Sequence, residues 1–151
     1  VATTDGFHPD FDAAEPDPRR KLVHHIKASE LDSDTAQTEG LRRFAAISGR
    51  SVGAANLWMG ETHVEPATAS DNHHHGHSET AIYVRSGHPE FVFHDGTQEV
   101  RIKAEPGDYI FVPPYVPHRE ENPDPTSPAE VVIARTSQEA IVVNLPHLYP
   151  L

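Results

Sequence analysis

His73-His74-His75-Gly76-His77-Ser78-Glu79-Thr80-Ala81-Ile82-Tyr83-Val84-Arg85-Ser86-Gly87 is the stretch on which the reading of this chain turns. Four histidines and a carboxylate fall within seven residues, directly before an apolar run that reads as a buried strand and stops at a glycine turn. Histidines one residue apart in an extended segment leave the same face, so His73 and His75 can converge on one ion. The stretch therefore reads as half of a metal site. Three ligands from one segment rarely close a coordination sphere, so a further ligand is expected downstream. The candidate lies in Gly107-Asp108-Tyr109-Ile110-Phe111-Val112-Pro113-Pro114-Tyr115-Val116-Pro117-His118-Arg119-Glu120-Glu121-Asn122, where His118 follows a Pro-rich turn.

Composition narrows the chemistry. With 151 residues the chain reads as one domain with a real core. A formal net charge of -11 argues against nucleic acid and against an anionic membrane surface, both of which call for clustered Lys and Arg. No apolar run approaches a membrane span, and the N-terminus lacks the basic-then-apolar layout of a secretory signal, although a processed segment would leave no trace. The expectation is a soluble, cytoplasmic protein. The absence of cysteine rules out disulfides and thiolate metal sites. Any metal must be held by imidazole and carboxylate, which suits Zn, Fe, Mn, Ni, Co or Cu.

Outside the two stretches the chain reads as short strands cut by turns. Residues 1–20 hold Pro9, Pro16 and Pro18 among acidic residues with no apolar period, and are expected to form an extended or partly disordered arm before a barrel domain at 21–151. Lys21 to Ile26 reads as a first strand whose His24 and His25 face opposite ways, as ordinary surface histidines. Leu41 to Ile47 reads as a strand or a helical turn, and the alternation through Gly53 to Val64 as a strand with Trp58 in the core or on a pocket wall. Glu90 to His94 and Gln98 to Lys103 flank Asp95-Gly96, a hairpin signal. Tyr109 to Val112, Ala129 to Arg135 and Ala140 to Asn144 complete the strands, and no helix of three turns is expected. Such a pattern specifies an all-β sandwich or jelly roll.

The two histidine stretches together resemble the paired motifs of the cupin superfamily. The first motif resembles Gly, five residues, His-x-His, three or four residues, Glu, about six residues, Gly. Ala67 stands at the opening position, followed by His73, His75, Glu79 and Gly87. The second resembles Gly, five residues, Pro-x-Gly, two residues, His, three residues, Asn. Gly107, Pro113, His118 and Asn122 match, with Tyr115 in place of the inner Gly. The resemblance selects the jelly roll, a double-stranded β-helix with an N-terminal arm.

It also implies His73, His75, Glu79 and His118 as ligands of one divalent transition metal, with Zn or Fe foremost and Mn or Ni next. Counting forward from His75 gives Glu79, and counting back from Gly87 gives Thr80. A bulge would turn Glu79 inward, and His77 is a further or substitute ligand. Arg85, Tyr83, His94 and Tyr115 are candidate pocket residues, whereas Asn122, Gly107 and Pro113 are expected to shape turns.

The family resemblance extends to small cupins similar to aromatic polyketide cyclases. It implies a small-molecule substrate, metal polarisation of a ketone or enolate oxygen, and Glu79 or His77 moving the proton. A non-heme iron dioxygenase and a binding cupin without turnover are the alternatives, and a homodimer is expected.

Overall fold

The computed structural model describes residues 22–149. Eleven strands are found among them: β1 Leu41–Ile47, β2 Trp58–Val64, β3 Thr68–Ala69, β4 His73–His74, β5 Thr80–Ser86, β6 Glu90–His94, β7 Glu99–Lys103, β8 Tyr109–Val112, β9 His118–Asn122, β10 Ala129–Arg135 and β11 Val143–Asn144. One sheet has the order β1-β2-β10-β5-β8, and the other β11-β4-β9-β6-β7 with β3 also on β9. Every pairing is antiparallel. The two sheets make the expected all-β jelly roll. The longest helix is a single turn, Gly49–Val52, capped by Ser48, and no helix among the described residues is long and apolar enough to cross a membrane.

Alternation sets the inner face. Thr80, Ile82 and Val84 of β5 are buried while Ala81, Tyr83 and Arg85 are exposed. Ile82, Val84, Phe91, Ala104, Val112 and Val131 form the main core cluster, and Leu41, Val64 and Ala129 a second one. Each large aliphatic side chain buried there stabilises the fold by about 1.5–3 kcal/mol. On β2 the inward positions are Trp58, Gly60, Thr62 and Val64. Only glycine fits at 60, because a Cβ there would stand 2.2 Å from the Phe44 carbonyl oxygen and 2.6 Å from the Trp58 ring. The outer face is polar: the Arg85 guanidinium donates 2.7 Å bonds to both oxygens of Glu61 and a 3.1 Å bond to Glu130.

Two sequence expectations are corrected. Residues 22–26 of the expected first strand pair with no strand among the described residues, and Leu22 and Val23 are 82% and 99% exposed. An apolar run without a neighbouring edge has no ladder to join. Of Ala140 to Asn144, only Val143–Asn144 is strand, because Ala140 to Val142 leave the sheet to run beside the histidine segment. The proposed arm at 1–20 lies outside the described residues.

Candidate metal centre

The histidine segment is held from both sides. His73 of β4 pairs with Asn144 of β11 and with His118 of β9, and the Leu145 N–H donates to the Asn72 carbonyl at 2.8 Å. Alternation sends His73 and His75 inward. His74 leaves the other way, accepting the Gly76 N–H on Nδ1 at 2.9 Å and lying 5.8 Å, centroid to centroid, from Tyr115. Opposite, His118 and Glu120 are two residues apart on the regular strand β9 and so share its face. The ligand atoms of His73, His75, His118 and Glu120 lie within 4.8 Å of one another.

Each ring is oriented by the backbone. His73 Nδ1 is 2.7 Å from the Asp71 carbonyl, His75 Nδ1 is 2.9 Å from that of Ile141, and His118 Nδ1 is 3.0 Å from that of Val116. A carbonyl only accepts, so each Nδ1 carries the proton and each Nε2 is left with its lone pair. His118 Nε2 is buried with no hydrogen-bond partner, 4.0 Å from Glu120 Oε1. Burial is the main cause that pushes the His75 imidazole down to about 4, and the neighbouring rings add to it against the Ile141 hydrogen bond. Burial likewise lowers His118. Both are then neutral near pH 7, the form a metal needs.

Carbonyl-tethered imidazoles with one carboxylate fit a divalent transition metal, and the buried His118 Nε2, with no hydrogen-bond partner, is suited to be one of its ligands. A cavity of about 300 Å³ opens beside the cluster. His73, His75 and Glu120 line one side; Trp58, Leu41 and Ile133 form apolar wall, and Ser78 and Thr80 face the same space.

The structure brings together three of the four expected ligands, with Glu120 as the fourth member of the cluster. It does not bring in Glu79 or His77, both of which are exposed and outside the cavity lining. The extended count breaks at Gly76, which has φ 57°, and the Ser78 N–H bonds the His75 carbonyl at 3.1 Å. That turn replaces the bulge that would have aimed Glu79 inward. Thr80, the alternative from the backward count, is buried and lines the cavity.

Arg85, Tyr83, His94 and Tyr115 line no part of the cavity; His94 stacks on Tyr149 with 4.5 Å between centroids. Trp58 is a cavity wall, as expected. Asn122 shapes a turn: buried, it donates to the Glu65 and Ser127 carbonyls at 3.1 and 2.9 Å. Glu120 was missed although period two exposes it, since His118-x-Glu120 repeats the spacing of His73-x-His75.

Fold and cluster together define a small antiparallel jelly roll that gathers three histidines and a glutamate beside one cavity. The chain belongs to the cupin family: the family model described as "Cupin domain" matches residues 60–135. Among solved structures it is similar to the polyketide cyclase RemF from Streptomyces resistomycificus, with 20% identity, 82% of this chain and 86% of that chain covered, and a TM-score of 0.67. It is also similar to Bacillus subtilis oxalate decarboxylase, described with Mn(II) centres, at 20% identity and TM-score 0.61. That match covers 72% of this chain and 29% of the decarboxylase. A double-stranded β-helix protein from Klebsiella pneumoniae matches at 17% identity and TM-score 0.61, covering 83% of this chain and 100% of that one. At these identities the likenesses establish the fold. No curated protein matches the chain in sequence.

Proposed function

We propose that this chain is a divalent-metal-dependent cupin enzyme acting on a small, oxygen-rich, aromatic or polyketide-like compound in a cyclase-like reaction. The observation that carries the reading is the set of imidazoles whose Nδ1 atoms are tied to backbone carbonyls beside a cavity large enough for a substrate. In this proposal His73, His75, His118 and Glu120 hold the ion. A bound divalent ion would supply Lewis-acid polarisation of a carbonyl or enolate oxygen. Trp58, Leu41 and Ile133 exclude water from the reacting carbons. The proton-moving role expected of Glu79 and His77 passes in this reading to Glu139, the carboxylate that lines the cavity outside the cluster. The RemF likeness supports the cyclase class at the level of fold.

Elemental mass spectrometry of untagged protein, purified with and without air, tests the metal. Near-stoichiometric zinc, manganese or nickel in both preparations supports the Lewis-acid reading. Iron retained only without air, together with oxygen uptake on a small diketone, replaces it by the dioxygenase. Protein that takes up no divalent metal overturns both. A homodimer belongs to the same proposal, and light scattering that returns a monomer at micromolar concentration removes it.

A further inference from the structure

Two arginines occupy inward-facing positions of the barrel and line the cavity beside the cluster. Arg43 lies on β1 between the buried Leu41 and Ala45, on the face that alternation turns inward. Arg135 ends β10 and pairs across the sheet with Trp58 on one side and Thr80 on the other, both buried. Neither forms an ion pair with a carboxylate among the described residues, whereas Arg50, Arg85, Arg101 and Arg119 all do. A half-buried guanidinium without a counter-ion is costly, and two on one cavity compound the cost.

Both are nevertheless held in place. Arg43 Nη1 donates to Thr38 Oγ1 at 2.9 Å, and the Gln37 side chain clasps the Arg43 backbone by 2.7 and 2.8 Å bonds. Arg135 lies with Cζ 4.0 Å from the Trp58 ring centroid, a cation–π contact, and donates from Nε and Nη2 to the Ser137 and Gln138 carbonyls at 3.1 Å each. A guanidinium has five N–H groups, so these acceptors, with the Ala36 carbonyl 3.4 Å from Arg43 Nη1, leave donors on both residues without a partner among the described residues. Burial, and then the charge of Arg43, draw Arg135 down to about 10, which leaves it charged at neutral pH. Burial also lowers Arg43, against the opposing pull of Glu120. The other carboxylate on this cavity, Glu139, is exposed.

We propose that Arg43 and Arg135 form a carboxylate-binding pair, so that the substrate is a compact organic acid whose carboxylate meets the guanidiniums while its apolar body lies against Trp58 and Ile133. This deepens the proposed function by naming the substrate class of the same site. A bound ion would engage Glu120 and add positive charge, leaving the two guanidiniums for an anion from solution. A cavity of about 300 Å³ sits at the small end of ligand pockets. It has room for an acid built on a single ring.

Isothermal titration of the full chain with benzoate and with its uncharged counterpart benzamide tests the pair, on metal-loaded protein and on protein stripped by chelator. Benzoate is expected to bind at least about tenfold more tightly than benzamide, as charge-assisted pairing to a guanidinium requires. R43Q and R135Q should each weaken benzoate by about tenfold or more, with benzamide binding and metal content unchanged. R135K, which keeps the charge but not the fork, should recover part of the affinity, and circular dichroism confirms that each variant is folded. Equal binding of the two probes, no benzoate binding at millimolar concentration, or benzoate affinity unmoved in folded R43Q and R135Q each overturn the proposal. Metal content is read separately on the same samples. Loss of the metal reading with benzoate selectivity intact on stripped protein therefore removes one proposal and leaves the other.

Discussion

Two stretches deliver side chains to the same cluster by different means. His118 and Glu120 come from β9, a five-residue strand on which alternation alone puts both on the inner face. His73 comes from β4, a strand of two residues clamped between β9 and β11, and His75, the residue just past that strand, is aimed by the Ile141 carbonyl from a segment distant in sequence. On the regular strand, position follows from counting. On the irregular one it follows from contacts that counting does not see, and past Gly76 the count fails altogether.

The largest effect separates histidines that the sequence presents alike. His118→Ala should reduce metal affinity by roughly two orders of magnitude or more, whereas His77→Ala should leave metal content at the wild-type level. Elemental analysis of both, with circular dichroism to show retained fold, decides it. Equal metal in the two variants would dissolve the contrast between the strands.

Next is the carboxylate. Glu120→Gln should weaken metal binding by roughly 10–100-fold, while Glu79→Gln should leave it unchanged, since Glu79 is exposed and donates its own backbone N–H to Thr136 Oγ1 at 3.0 Å. Competition against a chelator measures both. The reverse ranking would return Glu79 to the site and show that the turn at Gly76 opens when metal binds.

Most of this fold is legible in the residues. Glu90–His94, Tyr109–Val112 and Ala129–Arg135 are strands with the boundaries that apolar runs and flanking Gly, Pro and Asp imply. What resisted reading depends on partners distant in sequence. Residues 22–26 have strand composition but no paired edge among the described residues, and the segment before β11 gives up its ladder to serve His75. Arg43 and Arg135 were invisible for another reason: charged residues ending or interrupting an apolar alternation read as solvent-facing. Only the three-dimensional cavity shows that both are inside.

The buried rings also make stability depend on pH. In the unfolded chain His75 titrates near its ordinary 6.5, and in the fold at about 4. Between those values the unfolded chain binds a proton that the folded chain does not. The metal-free protein should therefore lose stability as pH falls from 6.5 towards 4, by roughly 3 kcal/mol from this group, and lose little more from it below that window. His118, lowered in the same direction, adds to the slope. Urea midpoints across this range should fall for wild type and fall less for His75→Gln. Parallel curves would remove the link between burial and ligand readiness. Carboxylates lowered by arginines and backbone donors, such as Glu61 and Asp124, act at the acid end and are common to both proteins.

The smallest effect tests the two places where the chain departs from the family's glycines. Ala67 and Tyr115 are the non-glycine residues with positive φ among those described, at 53° and 63°. The fold keeps the left-handed turn at both positions although the residue disfavours it. The Ala67 N–H is fixed on the Asp124 carbonyl at 2.9 Å and the Tyr115 N–H on that of Gly76 at 2.8 Å, so each turn is tied to a distant segment. An L-residue in this conformation costs roughly 1–2 kcal/mol, and glycine relieves it at an entropic cost of about 0.5–1 kcal/mol. Ala67→Gly should therefore stabilise the protein by about 0.5 kcal/mol, read as a raised urea midpoint with unchanged slope. Tyr115→Gly should gain less, because it also gives up the ring that lies against His74. A loss of stability in Ala67→Gly would mean that the Asp124 contact overcomes the strain, and that alanine is the better residue for this turn.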